Sequence, residues 1–125
     1  MNPEYQNVCF RSDLTAHPNE FGIVTAYNSN GITRDGNANL SADERLLLAI
    51  DALGVDRFRI TGMSLDEVHQ EPGWGIQCSK DNAIRLGRQF EQEAIFWISG
   101  VELILINLEN LEELTLGAFT DFLRA

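Results

Sequence analysis

The sequence predicts an α/β (α+β) fold, a two-layer sandwich with an antiparallel or mixed sheet of five to six strands. Three observations predict it. Short apolar runs that alternate by two, such as "RFRIT" (57–61), are interleaved with two stretches of helical spacing. Each helical stretch follows a serine able to cap it, Ser41 and Ser79. In the last apolar run, Leu103 and Leu105 alternate with Ile104 and Ile106, so both faces of that strand need cover. The expected order is ββαββαββα, with two helices on one face and a C-terminal helix or a partner subunit on the other.

The elements follow in order. "NVCF" (7–10) and "EFGIVTAY" (20–27) read as strands joined by a polar loop containing Pro18. "NSNGITRDGNAN" (28–39) reads as a loop, because Asn, Asp and Gly supply turn chemistry throughout. "SADE" (41–44) matches a capping box and opens a helix with Leu46, Ala49, Ile50 and Leu53 on one stripe, ended by Gly54. In "RFRIT", Phe58 and Ile60 share one face, and Arg57, Arg59 and Thr61 the other. "SLDE" (64–67) repeats the capping pattern as a single turn, "EPG" (71–73) reverses the chain, and "WGIQC" (74–78) returns as a strand. The second helix carries Ala83, Leu86, Gly87, Phe90 and Ala94, and Gly87 within that stripe implies close approach of helix to sheet. "AIFWI", the turn "SG" and "VELILINL" form a hairpin. Leu111, Leu114, Thr115, Ala118, Phe119, Phe122 and Leu123 recur at helical spacing, which predicts an amphipathic helix within 107–125.

The chain's 125 residues suit a single domain, 1–125, able to bury one core without staples. Net charge is −10, and residues 91–125 hold seven acidic groups against one basic, so six of the ten excess negatives lie there. Such a balance argues against direct nucleic-acid binding, which rests on neutralising phosphates. No apolar run is long enough to span a membrane, and the first residues lack the pattern of an export signal. Cys9 and Cys78 lie in apolar strand-like stretches and read as buried thiols of a reducing compartment, so a cytoplasmic location is expected.

Catalytic signatures are absent from the sequence. There is no nucleophile elbow, phosphate-binding glycine loop or zinc motif, and His17 and His69 stand apart from any carboxylate or thiol at motif spacing. No catalytic residue, metal or cofactor is therefore expected. "DGNANLSADE" imitates a calcium loop through Asp35, Asn37, Asn39, Ser41 and Asp43, but Leu40 stands where glycine is required and Leu46 where a bidentate Glu is required.

Two constellations remain. Thr25, Tyr27, Asn28, Asn37 and Asn39 can line a pocket beyond a strand end, where loops present polar groups on a rigid frame. Asn offers a donor and an acceptor, and Tyr27 and Trp74 offer flat faces, a set suited to a nucleotide-like ligand. Asn28 capping a turn beside a half-buried Tyr27 explains the same residues without a ligand. Arg85, Arg88, Gln89 and Gln92 form a polar stripe that, with Lys80, can meet a phosphate, an acidic partner or neighbouring carboxylates. Glu71 can serve as a base or pair with Arg88.

Together "VTAYNSNG", "ITGMSLDEVHQEPGWGI" and "AIRLGRQFEQEAIFW" resemble the uncharacterised bacterial family known as domain of unknown function 3293, over roughly residues 21–106. That family is similar in its Thr-Ala-aromatic-Asn strand end, its Glu-x-x-aromatic turn and its Phe-x-Gln-x-Ala helix end. The resemblance implies that Thr25, Tyr27, Asn28, Glu71, Trp74, Phe90 and Gln92 are family-type positions. It implies no activity, and residues 107–125 look like an addition to the family core.

The first expectation is a small acidic, non-enzymatic protein that docks onto another protein and inhibits or modulates it, in the manner of mobile-element proteins that block host defence. Its contact residues would be Glu102, Glu109, Glu112, Glu113 and Asp121. The alternative is binding or processing of a nucleotide-like ligand at the strand end. A homodimer through the two-faced hairpin is a third.

Overall fold

The computed structural model describes residues 3–125. Among the described residues the elements run β1 (Val8–Ser12), β2 (Glu20–Thr25), α1 (Gly36–Ala52), β3 (Arg57–Ser64), β4 (Gln70–Ile76), α2 (Lys80–Gln89), β5 (Ala94–Ser99), β6 (Glu102–Asn107) and β7 (Glu113–Ala118). All seven strands join one antiparallel sheet in the order β1-β3-β4-β2-β5-β6-β7. A 3-10 turn, Phe119–Phe122, follows β7. The α+β class stands, but the expected five to six strands with three helices, in the order ββαββαββα, are overturned by seven strands and two helices.

The sheet curls into a half-barrel. Phe10 of β1 and Phe96 of β5 stand four places apart in the strand order, about 19 Å if the sheet were flat. Their ring centroids are 5.2 Å apart. The tail completes the curl: Leu123 bridges Phe10 in parallel, and the Arg124 N–H donates to the Phe10 carbonyl at 2.7 Å.

Strand alternation divides the apolar side chains between the faces. On the convex face Val24, Ile76, Ile95 and Ile106 pack with Leu46 and Ile50 of α1 and Ala83 and Leu86 of α2. Gly87 permits this contact, since a Cβ there would lie 2.6 Å from Ile95 Cγ2 and 2.7 Å from Leu108 Cδ1. The expected close approach of helix to sheet is thus present. On the concave face Phe10, Phe21, Ile23, Phe58, Ile60, Ile98 and Leu103 surround Phe119. Each large apolar side chain so buried stabilises the fold by roughly 1.5–3 kcal/mol.

Several boundaries differ from the sequence reading. The helix expected from Ser41 begins at Gly36, capped by Asp35, whose Oδ1 accepts from the Ala38 N–H at 2.8 Å. "SADE" lies inside α1, and "GNAN" is helix rather than loop. "EPG" lies within β4; the reversal falls earlier, where Ser64 and Asp66 side chains accept from the His69 and Val68 amides.

The C-terminal helix expected within 107–125 is replaced by β7 and the 3-10 turn. The Asn107 and Asn110 side chains accept from the Glu109 and Glu112 amides, turning the chain where a helix would start. Leu114, Leu116 and Ala118 also fit a period of two, and β6 offers an adjacent ladder. The second face is covered by Phe119, Phe122 and Leu123 rather than by a helix.

Candidate functional site

Beyond the end of β2 the chain enters a knot of polar side chains. Asn28 adopts the left-handed conformation (φ 51°, ψ 55°), which Asn tolerates better than most residues. Its N–H donates to Asn39 Oδ1 at 2.9 Å, and its Oδ1 accepts from Asn39 Nδ2 and the Arg34 N–H, both at 3.0 Å. Asn28 Nδ2 donates to Glu71 Oε1 at 3.4 Å. Thr25 Oγ1 donates to the Pro72 carbonyl at 2.7 Å and accepts from the Tyr27 N–H at 3.1 Å. Gln92 Nε2 donates to the Tyr27 carbonyl at 3.1 Å.

The structure therefore gathers Thr25, Tyr27, Asn28, Asn39, Glu71 and Gln92 at one end of the sheet. Their bonds run largely to one another and to local backbone. Among the described residues, no buried side-chain nitrogen or oxygen lacks a partner.

Three candidates lie apart from this knot. Asn37 is exposed on the first turn of α1. Trp74 lies on the convex face, with the Arg59 guanidinium 4.1 Å from its ring centroid and its Nε1 donating to Asp43 Oδ1 at 3.2 Å. Arg88 donates through Nε and Nη2 to the Leu108 carbonyl at 3.1 and 2.9 Å, so it secures the β6–β7 loop instead of meeting Glu71.

Sequence reasoning missed Asp43, Arg59, Tyr5 and Glu93. Asp43 is buried and takes both Arg59 Nη atoms, at 3.0 and 2.7 Å. The hydrogen bond to Asp43 raises the Arg59 pKa, outweighing burial. Alternation in β3 put Arg59 on the face opposite Phe58, but its meeting with Asp43 depends on where α1 packs. Tyr5 Oη donates to Glu93 Oε2 at 3.4 Å. Burial, with the charges of Glu93 and Glu71, pushes the Tyr5 hydroxyl up to about 12. Burial likewise raises the Glu71 carboxyl, and the Asn28 amide opposes that shift. Nothing local in the sequence joins these residues.

Next to the knot, and sharing Gln92, an open cleft of about 510 Å³ runs between the end of α2 and the β6–β7 loop. Glu91, Glu93 and Glu109 line it, with Asn30 and Arg88. Glu91 accepts from Asn30 Nδ2 at 3.2 Å, and Glu93 sits against Gly31, where a Cβ would lie 2.8 Å from its Oε1. Arg88 is the one cation among the described lining residues, and its guanidinium faces the Leu108 carbonyl.

The acidic residues expected to meet a partner are all exposed but form two groups. Glu109, Glu112 and Glu113 belong to the β6–β7 loop and the start of β7. Glu102 lies opposite Ala118 at the far end of that hairpin, near Asp121 in the 3-10 turn. A six-residue strand separates the groups by about 17 Å.

Residues 24–95, more than half of the chain, match the family described as Protein of unknown function (DUF3293). The chain belongs to this family. The matched span holds the whole polar knot, Glu93 and the Trp74–Arg59–Asp43 contact, while Glu109, Glu112 and Glu113 fall outside it. No curated protein and no solved structure gave a match.

Among the described residues, no group of three or more His, Cys, Asp or Glu is placed to hold a metal ion. No described helix is long and apolar enough to cross a membrane.

Proposed function

We propose that this member of the DUF3293 family is a non-enzymatic docking protein that binds a basic surface of another protein and modulates it. The observation that carries this reading is the open cleft, with three carboxylates on its lining and its one lining cation bound to a carbonyl. A cleft lined by one sign of charge concentrates the field and steers an oppositely charged partner toward it. Glu112 extends the acidic surface beyond its rim, and Glu113 next to it is paired with Lys80. A chain of net charge −10 that covers a basic patch competes for the cations that would otherwise bind phosphates, which is a direct route to inhibiting a nucleic-acid-handling partner.

The nucleotide-like alternative draws less support. The knot's amides are engaged with one another, and Arg59 occupies a face of Trp74.

Affinity capture with the intact protein, followed by identification of the partner and reconstitution from purified components, tests the docking reading. The complex is expected to weaken as salt rises and to be lost on reversing charge at the exposed Glu109 and Glu112, with the melting temperature retained. A reconstituted complex indifferent to salt and to these reversals overturns the reading.

A further inference from the structure

The two edges of the sheet are treated differently. At β1 the tail lies against the edge: Leu123 bridges Phe10, the Arg124 N–H donates to the Phe10 carbonyl, and Arg11 Nε donates to the Ala125 carbonyl at 3.3 Å. At β7, among the described residues, β6 is the sole strand neighbour. The ladder shows which groups face outward. The Asn107 N–H donates to the Glu112 carbonyl at 2.9 Å, so this is a hydrogen-bonded pair. Antiparallel pairs alternate. Leu114, opposite Leu105, therefore turns its amide and carbonyl to β6, while Glu113 and Thr115, opposite Ile106 and Ile104, turn theirs away from it. Glu113, Leu114 and Thr115 are all exposed.

We propose that the outer edge of β7 accepts an extended basic segment of a partner protein as an added antiparallel strand. This deepens the docking reading and rests on it. Backbone pairing at Glu113 and Thr115 supplies the attachment, and the side chains supply selection. Glu113 and Thr115 project to the convex face beside Lys80, whose Nζ meets Glu113 Oε2 at 2.6 Å. Leu114 projects to the opposite face and is 43% exposed.

A complementary strand thus alternates basic and apolar residues, the basic ones toward Glu113 and the apolar ones beside Leu114. Charges on an edge strand guard against pairing of like with like. Lys80 shares the Glu113 carboxylate, so it is the surrounding surface, with Glu112 beside the edge and a net charge of −10, that turns away a second copy and admits a cationic strand.

The test uses the intact, isotope-labelled protein and a blocked heptapeptide alternating lysine and valine. Binding is expected to slow exchange of the Thr115 amide about tenfold or more, while amides of β1 are unchanged. A peptide with glutamate in place of lysine, or with its backbone methylated on the pairing amides, is expected not to bind. The proposal is overturned if the lysine peptide leaves Thr115 exchange unchanged, or if either control peptide protects it equally. The reconstituted complex separates this proposal from the reading beneath it. Thr115→Pro removes an outward N–H that β6 does not use. A complex that survives Thr115→Pro but is lost on reversing the cleft charges keeps the docking reading and removes the strand.

Discussion

On the convex face two helices lay aliphatic side chains over the sheet, and Asp43 of α1 pairs with Arg59 against the Trp74 indole. On the concave face no α-helix lies among the described residues; Phe10, Phe21, Phe58 and Phe96 converge with His17 on Phe119, which a short 3-10 turn delivers. Helices bring long stripes that cover a broad surface, whereas a curled sheet needs only a plug. Curling brings distant strands together until their own aromatic rings fill most of the space, so a few residues after β7 suffice. The plug also carries the tail onto β1, which joins closure of the second core to protection of one edge.

The largest expected effect comes from removing the plug. Phe119→Ala is expected to cost about 3–5 kcal/mol in urea denaturation. Hydrogen exchange should then show β1 and β3 amides losing protection ahead of those in α2. Equal loss on both sides would mean that the two cores open as one unit.

On the convex face Asp43→Ala is expected to cost about 1–3 kcal/mol, because it leaves Trp74 Nε1 without its acceptor and the Arg59 guanidinium with only the Gly73 carbonyl. The low end applies in part because the Arg59 side chain is 31% exposed and water can replace some of the contact. Arg59→Met with Asp43→Leu should recover much of the loss if packing rather than charge holds α1 to β4.

Acidity should separate two groups with opposite signs. Burial among the rings lowers the His17 pKa in the folded state, so the unfolded chain takes the proton more readily. Stability should fall as pH drops below about 6.5 through the folded value, and His17→Gln should remove that slope. Burial raises the Glu71 pKa, so here the folded state holds the proton more tightly. Its contribution is present below about 4.3 and is lost as pH rises through the folded value. Glu71→Gln should flatten that limb. Denaturant midpoints measured across pH for both variants check each sign.

The smallest effect concerns Cys78, whose thiol burial pushes up to about 11. At pH 8 roughly one molecule in a thousand carries the thiolate, so alkylation should be slow and rise about tenfold per pH unit. Rapid labelling at pH 8 would show that this part of the convex core opens easily.

Much of the layout was legible because local patterns and tertiary pairing agreed. The β5–β6 hairpin, the stripe of α2 with Gly87 and the alternation of β3 all follow from side-chain period. The strand-end knot was half legible. The family-type order pointed to Thr25, Tyr27, Asn28, Glu71 and Gln92, which do meet, and also to Trp74, which faces α1 instead. Asn39 was placed in a loop but acts from the first turn of a helix, because Asp35 outcompeted Ser41 as the cap. The acidic cleft was illegible, since Glu91 and Glu93 meet Glu109 only through the packing of α2 against the β6–β7 loop.

The sequence by itself determined the class, the two helices, most of the strands and the acidic bias, because each rests on interactions within a few residues or on composition. Strand order, the curl and the fate of residues 107–125 were decided by tertiary structure. Leu111 to Leu123 satisfy a helical period and, in part, a strand period, and local preference separates the two by a fraction of a kcal/mol per residue. An unpaired ladder on β6 and a ring of phenylalanines awaiting a plug outweigh so small a difference, and neither exists until distant parts of the chain have come together.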